Sequence, residues 1–201
     1  MIRLSDHIAA AGGWLSLEAF MQLALHHPQE GYYSSSIENI GQRGDFSTTP
    51  TLSPILAKAI VAHWKEACSR CGRRLPLLEI GAGSGALAVK ILERLGFWNR
   101  LNTDYVIVES SPRLREFQHL LLGGRAKIYS TMEKALKHCG GKAFIFSNEL
   151  VDAFPARVFE YTEQDWKEVG LVVKNGAVRE ELRPVRQQPL FSHMLEYGSQ
   201  P

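Results

Sequence analysis

The chain has 201 residues, 45% of them hydrophobic and 22% charged, the make-up of a folded domain rather than of a collagen-like, coiled-coil or disordered chain. With 23 Lys and Arg against 21 Asp and Glu the formal net charge is +2, so no basic excess argues for nucleic acid as a partner. Three cysteines, Cys68, Cys71 and Cys139, are an odd number that does not suit a secreted disulfide framework, and no apolar run reaches the roughly 18–20 residues of a membrane span.

Residues 1–22 place Asp6, His7 and Glu18 where a signal peptide needs an apolar stretch, and they lack the Arg-rich, acid-poor character of an organelle transit peptide. The expectation is a structured start to a cytoplasmic protein. Ser5 or Asp6 caps a short helix to residue 11, stopped by Gly12 and Gly13, and Ser16 caps a second helix over 17–25. Residues 29–51, rich in Gly, Ser, Thr and Asn, read as a long loop, a length that is uncommon unless the loop is functional. Ser53 and Pro54 open a helix to residue 68.

From there strands and helices alternate. Strands are expected over 75–80, 105–108, 126–129 and 143–147, with helices over 84–95, 112–122 and 131–138, each helix closed by glycine. Alternation of this kind predicts a parallel sheet with right-handed crossovers, and the unbroken apolar strands predict that both faces are covered. After Pro155 the rhythm changes to strands over 156–162, 166–173 and 177–182, the last two joined by Asn175-Gly176, a type I′ hairpin signal. The expected organisation is a helical and loop cap over 1–74, an α/β ligand-binding domain over 75–182 and an irregular tail over 183–201.

The first parallel strand runs into Glu79-Ile80-Gly81-Ala82-Gly83-Ser84-Gly85 and then a helix. Glycines at Gly81, Gly83 and Gly85 let the backbone turn sharply and approach a ligand, and the helix start offers free N–H donors. Glu109, 24 residues beyond Gly85 at the end of the second strand, is placed to bind a ribose hydroxyl pair. The set points to a nucleoside-bearing cofactor. Gly81, Gly83 and Ala86 fit a dinucleotide fingerprint, which would make the chain an NAD(P)-dependent oxidoreductase. Glu79 weighs the other way: a carboxylate there repels a pyrophosphate and attracts the amino group and sulfonium of S-adenosylmethionine. The methyl donor is the favoured reading. The single Cys68-x-x-Cys71 pair supplies two ligands where a structural zinc wants four, so no metal is expected.

Four stretches together carry a resemblance: His27-Pro28 with Gly31-Tyr32-Tyr33; residues 41–50, containing Gly44-Asp45-Phe46; the glycine loop with Val108-Glu109-Ser110-Ser111-Pro112; and Asn148-Glu149-Leu150-Val151-Asp152-Ala153-Phe154-Pro155. They resemble the amino-terminal part of the MidA-type S-adenosylmethionine-dependent methyltransferases, a family that includes an arginine methyltransferase of mitochondrial complex I assembly. The family often has Pro and Arg where this glycine loop has Ala82 and Ser84. The resemblance implies a Rossmann-like class I methyltransferase fold and S-adenosylmethionine as cofactor. It also implies a protein substrate methylated on arginine, such as a subunit of a respiratory complex. Asp45 would fold over the cofactor, and Ser110 and Asn148 would join Glu79, the three glycines and Glu109 in binding it. Methyl transfer demands placement of the acceptor, worth about 7–11 kcal/mol in well-oriented reactions. Carboxylates suit a guanidinium, so Glu149, then Asp152, are the expected catalytic residues. A non-catalytic assembly module with an incomplete cofactor site is the remaining alternative.

Overall fold

The computed structural model describes residues 3–33, 54–162 and 165–185. Asp45, the motif over 41–50, Ser53 and most of the expected tail lie outside the described residues. The chain divides into two compact units, one formed by 31–153 and the other by 1–30 together with 154–201. The expected boundary near residue 75 is therefore not the one the contacts draw. The first helices share a unit with the carboxyl-terminal strands, because a two-residue strand between those helices joins the same sheet.

The larger unit holds α3 (Ile55–Arg70), β2 (Leu77–Ile80), α4 (Ala86–Leu101), β3 (Tyr105–Val108), α5 (Pro112–Leu122), β4 (Lys127–Tyr129), α6 (Met132–His138) and β5 (Phe144–Ser147). Its strands are parallel in the order β4-β3-β2-β5, with Ile80 opposite both Val108 and Ser147. Alternate residues of the central strands face opposite layers. Leu77, Tyr105 and Ile107 pack with Trp64 of α3 and Leu87, Ile91 and Leu92 of α4, while Leu78, Val106 and Val108 meet Ala135 of α6. This is the expected doubly covered sheet.

Local chemistry sets the element ends. Ser111 caps α5 by accepting from the Leu114 N–H at 3.4 Å, Pro112 takes the first turn, and Gly123 closes the helix at φ 54°. Thr131 caps α6 through the Lys134 N–H. Several expected boundaries shift, two of them for visible local reasons. The strand expected from residue 75 starts at Leu77, because the Leu75 carbonyl takes the Trp64 indole N–H at 2.8 Å and its own N–H goes to the Cys68 sulfur. Gly96 breaks the helical conformation of α4 (φ 73°, ψ 167°), but helical turns resume beyond it to Leu101.

The second unit contains α1 (Leu4–Ala10), β1 (Leu15–Ser16), α2 (Leu17–His26), β6 (Phe159–Thr162), β7 (Asp165–Lys174) and β8 (Ala177–Pro184). Strand β7 is its spine, antiparallel to β1, β6 and β8. Asn175 and Gly176 both take positive φ, 52° and 73°, as a type I′ turn between β7 and β8 requires. Ser16 caps α2 through the Ala19 N–H at 3.1 Å. Asp6 sits inside the first turn of α1, where it accepts from the Arg3 N–H, instead of starting the helix. Arg157 grips Glu168 with two hydrogen bonds of 2.8 and 2.6 Å.

Candidate functional site

Parallel register places the carboxyl ends of β2, β3 and β5 side by side, so the segments that follow them, 81–85, 109–111 and 148–153, emerge at one edge of the sheet. Open α/β sheets bind ligands at this edge. The Gly81 N–H extends the ladder to the Val108 carbonyl at 2.8 Å, and the loop then turns through Gly81, Gly83 and Gly85 at φ 68°, 53° and 72°. A side chain would strain all three positions. Gly81 has a second reason to lack one: a Cβ there would stand 2.7 Å from Leu150 Cδ1. Leu150, in the Asn148–Pro155 motif, thus lies directly on the glycine loop.

Glu109 is only 6% exposed and its carboxylate is held from several sides. Oε1 accepts from the Ser111 N–H at 3.0 Å, Oε2 accepts from Gln118 Nε2 at 3.4 Å, and the Gly83 N–H also donates to it. Burial raises its pKa; the Ser111, Gln118 and Gly83 hydrogen bonds and the charge of Arg115 work against that rise. Arg115 also donates to the carbonyls of Glu109 and Ser110, at 2.9 and 2.7 Å. Ser111 Oγ donates to the Tyr33 carbonyl at 3.1 Å, which ties residue 33 to the same edge.

Glu79 is 2% exposed, and its Oε2 accepts from the Tyr105 hydroxyl at 2.7 Å. Burial lifts its pKa to about 7 against the lowering effect of that hydrogen bond, and the charge of Glu109 adds to the rise. Tyr105 is pushed well above its ordinary range by burial and by Glu79. The sequence reading expects Glu79 to face a cationic ligand group; in the fold one of its oxygens is engaged by Tyr105.

Glu149 and Asp152 are exposed, and Asn148 is half-buried. Glu149 adopts a left-handed φ of 49°, a conformation that costs a non-glycine residue free energy and that clusters at active sites. Among the described residues, Asn148 and Glu149 make no hydrogen bond to the glycine loop or to Glu109, and the segment meets the loop through Leu150. Asp152 and Glu109 are linked through Tyr33: burial first, then the charges of Asp152 and Glu109, hold its hydroxyl pKa up.

The fold thus brings together Gly83, Glu109 and, electrostatically, Glu79 and Asp152. Sequence reasoning missed Gln118, and it placed Leu150 and Tyr33 in motifs without giving either a role in the site. Gln118 carried a signal, since it interrupts the Leu114–Leu122 stripe at i+4 from one and i−4 from the other, which points it inward.

Comparison with known proteins defines the class. Residues 55–201 match the family described as "Putative S-adenosyl-L-methionine-dependent methyltransferase", and the chain belongs to that family. That membership replaces the dinucleotide reading of the glycine loop. Among curated relatives, the mitochondrial protein arginine methyltransferase NDUFAF7 of Danio rerio is 28% identical over 193 residues, 81% of this chain and 45% of its own. The Xenopus tropicalis protein of the same name is 26% identical over 82% of this chain and 44% of its own. A Burkholderia thailandensis protein solved with S-adenosyl-homocysteine bound superposes with a TM-score of 0.77 and 28% identity, covering 96% of this chain and 51% of that one. The chain spans about half the length of the relatives it matches. The expectation of a cytoplasmic protein is overturned, because the curated relatives are mitochondrial. It rested on residues 1–22 not looking like a targeting segment and on cysteine parity; the second argues against secretion without distinguishing one reducing compartment from another.

Proposed function

We propose that this chain carries the cofactor-binding part of an S-adenosylmethionine-dependent protein arginine methyltransferase. The observation that carries the reading is the junction of the glycine loop with Glu109, held by Gln118, at the carboxyl edge of a parallel sheet. The residues present fit the cofactor. The loop backbone is free of Cβ atoms at its three turning points, and an ionisable acid stands beside it on the neighbouring strand. Gly81, Gly83 and Gly85 would pass along the ligand, Glu109 would accept from the ribose hydroxyls, and Glu79, Ser110, Asn148 and Asp45 would complete the pocket. When bound, the cofactor supplies an electrophilic methyl group on a sulfonium.

The chain's own part is to aim the acceptor. Glu149 binds and orients a guanidinium by paired hydrogen bonds, and Asp152, close enough in charge to act on Tyr33, supports it and takes up the released proton. The names of the curated relatives support a protein arginine as acceptor. The motif resemblance extends this to a subunit of a respiratory complex. Calorimetric titration of the full chain with S-adenosylhomocysteine tests the reading: saturable heat is expected, and neither heat nor a thermal shift at millimolar ligand would overturn it. Incubation of a binding-competent chain with labelled donor and a mitochondrial protein extract should yield methylarginine on hydrolysis.

A further inference from the structure

Gln118 has no role in the reading above beyond its presence at the junction, and its environment is unusual. It lies in the middle of α5 and is wholly buried. Its Nε2 donates to the Gly83 carbonyl at 2.9 Å and to Glu109 Oε2 at 3.4 Å, so both amide hydrogens go to oxygens from two different strand ends. Among the described residues its Oε1 is buried without a partner. Turning the amide over would not help, because Oε1 would then face two acceptors. A residue present only to fill space on an apolar stripe would be apolar. A buried amide that leaves its acceptor unsatisfied is held for what its donors do. Gln118 also touches the loop sterically: a Cβ at Gly85 would stand 3.6 Å from its Cγ.

Resting on the cofactor reading above, we propose that Gln118 is the positioning residue of the cofactor site: its two donors bind the glycine loop to the ribose-facing acid and fix the orientation of the Glu109 carboxylate. The consequence is electrostatic as well as geometric. The groups acting on Glu109 are the Ser111 and Gly83 N–H donors and Arg115, which favour its ionised form, and Glu79 and Tyr33, which feel its negative charge. Gln118 is the side-chain donor in this set whose reach also sets the loop. A donor to the charged form favours ionisation, so its loss leaves Glu109 harder to deprotonate and free to turn.

The test uses the full chain, wild type and Gln118→Met, which keeps length and removes both donors. Without ligand, the Glu109 carboxyl carbon is followed by NMR against pH, and its midpoint should move to higher pH in the variant. An unchanged midpoint overturns the proposal. In the wild type, the Gln118 side-chain amide resonances should shift with the same midpoint as Glu109. Insensitivity to that titration overturns the proposal even if the variant fails to fold. With S-adenosylhomocysteine, Gln118→Met should bind about tenfold more weakly at neutral pH, the scale of one lost hydrogen bond to a charged group. In a Glu109→Ala background the same change should alter affinity by less than about twofold, since a residue acting through Glu109 has nothing left to position. Independent, additive losses overturn the proposal. A wild-type chain that binds no S-adenosylhomocysteine overturns the function reading instead, while the ligand-free titrations still decide the role of Gln118.

Discussion

Two carboxylates of the candidate site differ in how the fold treats them, in keeping with the binding role proposed for Glu109 and the catalytic role proposed for Glu149. Glu109 is buried, and a donor on each oxygen, Ser111 N–H and Gln118 Nε2, orients its carboxylate while leaving lone pairs for a ligand hydroxyl. Glu109→Ala should weaken S-adenosylhomocysteine binding by about 1.5–3 kcal/mol, the range for hydrogen bonds to a charged group, and calorimetry reads this directly. Equal affinity would remove Glu109 from the ribose. Glu149 is exposed and stands in left-handed backbone, which costs an L-residue roughly 1–2 kcal/mol. Glu149→Gly should therefore raise stability in urea denaturation by about 1 kcal/mol, less the entropy glycine adds to the unfolded chain. Methyl transfer should be lost together with the carboxylate. A variant that is destabilised, or stabilised with full activity, contradicts the view that strain is held there for function.

At the level of elements, steric fit makes a further prediction. Gly170 in the middle of β7 has ordinary backbone, yet a Cβ on it would collide with the Trp14 indole, which lies in the notch and donates Nε1–H to the Glu181 carbonyl at 3.3 Å. Gly170→Ala should cost about 1–3 kcal/mol by overpacking, seen as a lower melting temperature, and Trp14→Ala in the same chain should recover part of that loss. Nothing in the sequence announced this pairing, because Trp14 and Gly170 are far apart in the chain and meet only through the β1–β7 register. The elements that were legible are those whose ends carry their own chemistry. The helix over Pro112–Leu122 begins and ends at the expected residues because Ser111, Pro112 and Gly123 each fix one local geometry. The glycine loop, its acid and the hairpin at Asn175-Gly176 were legible for the same reason. Other boundaries were not: Leu75 was drawn out of the sheet by Trp64 and Cys68, and α4 resumes helical turns beyond the Gly96 kink as far as Leu101. Within the site, Gln118 was hidden because a polar residue in a helix reads as solvent-facing until its place on the Leu114–Leu122 stripe is weighed.

For the whole molecule, the buried acids make stability depend on pH in an uncommon direction. In the unfolded chain Glu79 titrates near 4.5, whereas in the fold its pKa is raised to about 7. Between these values the folded state keeps a proton that the unfolded state has released, so stability falls as pH rises through this window and stays lower above it. The slope approaches 1.4 kcal/mol per pH unit where the two states differ by one proton, and the total is on the order of 3 kcal/mol. Glu109, also raised, adds in the same direction, while the lowered Glu181 acts below the window and on an exposed ion pair with Lys174 and Arg183. Glu79→Gln keeps an oxygen to accept from Tyr105 and removes the charge. The wild type should therefore melt at progressively lower temperature from pH 5 to pH 8, and Glu79→Gln should melt higher than the wild type at pH 8 and show a flatter profile, the residual slope belonging to Glu109. A wild-type profile that rises across the window would mean that Glu79 is ionised throughout, and the buried Tyr105–Glu79 pair would then have to be stabilised by a cation that the described residues do not supply.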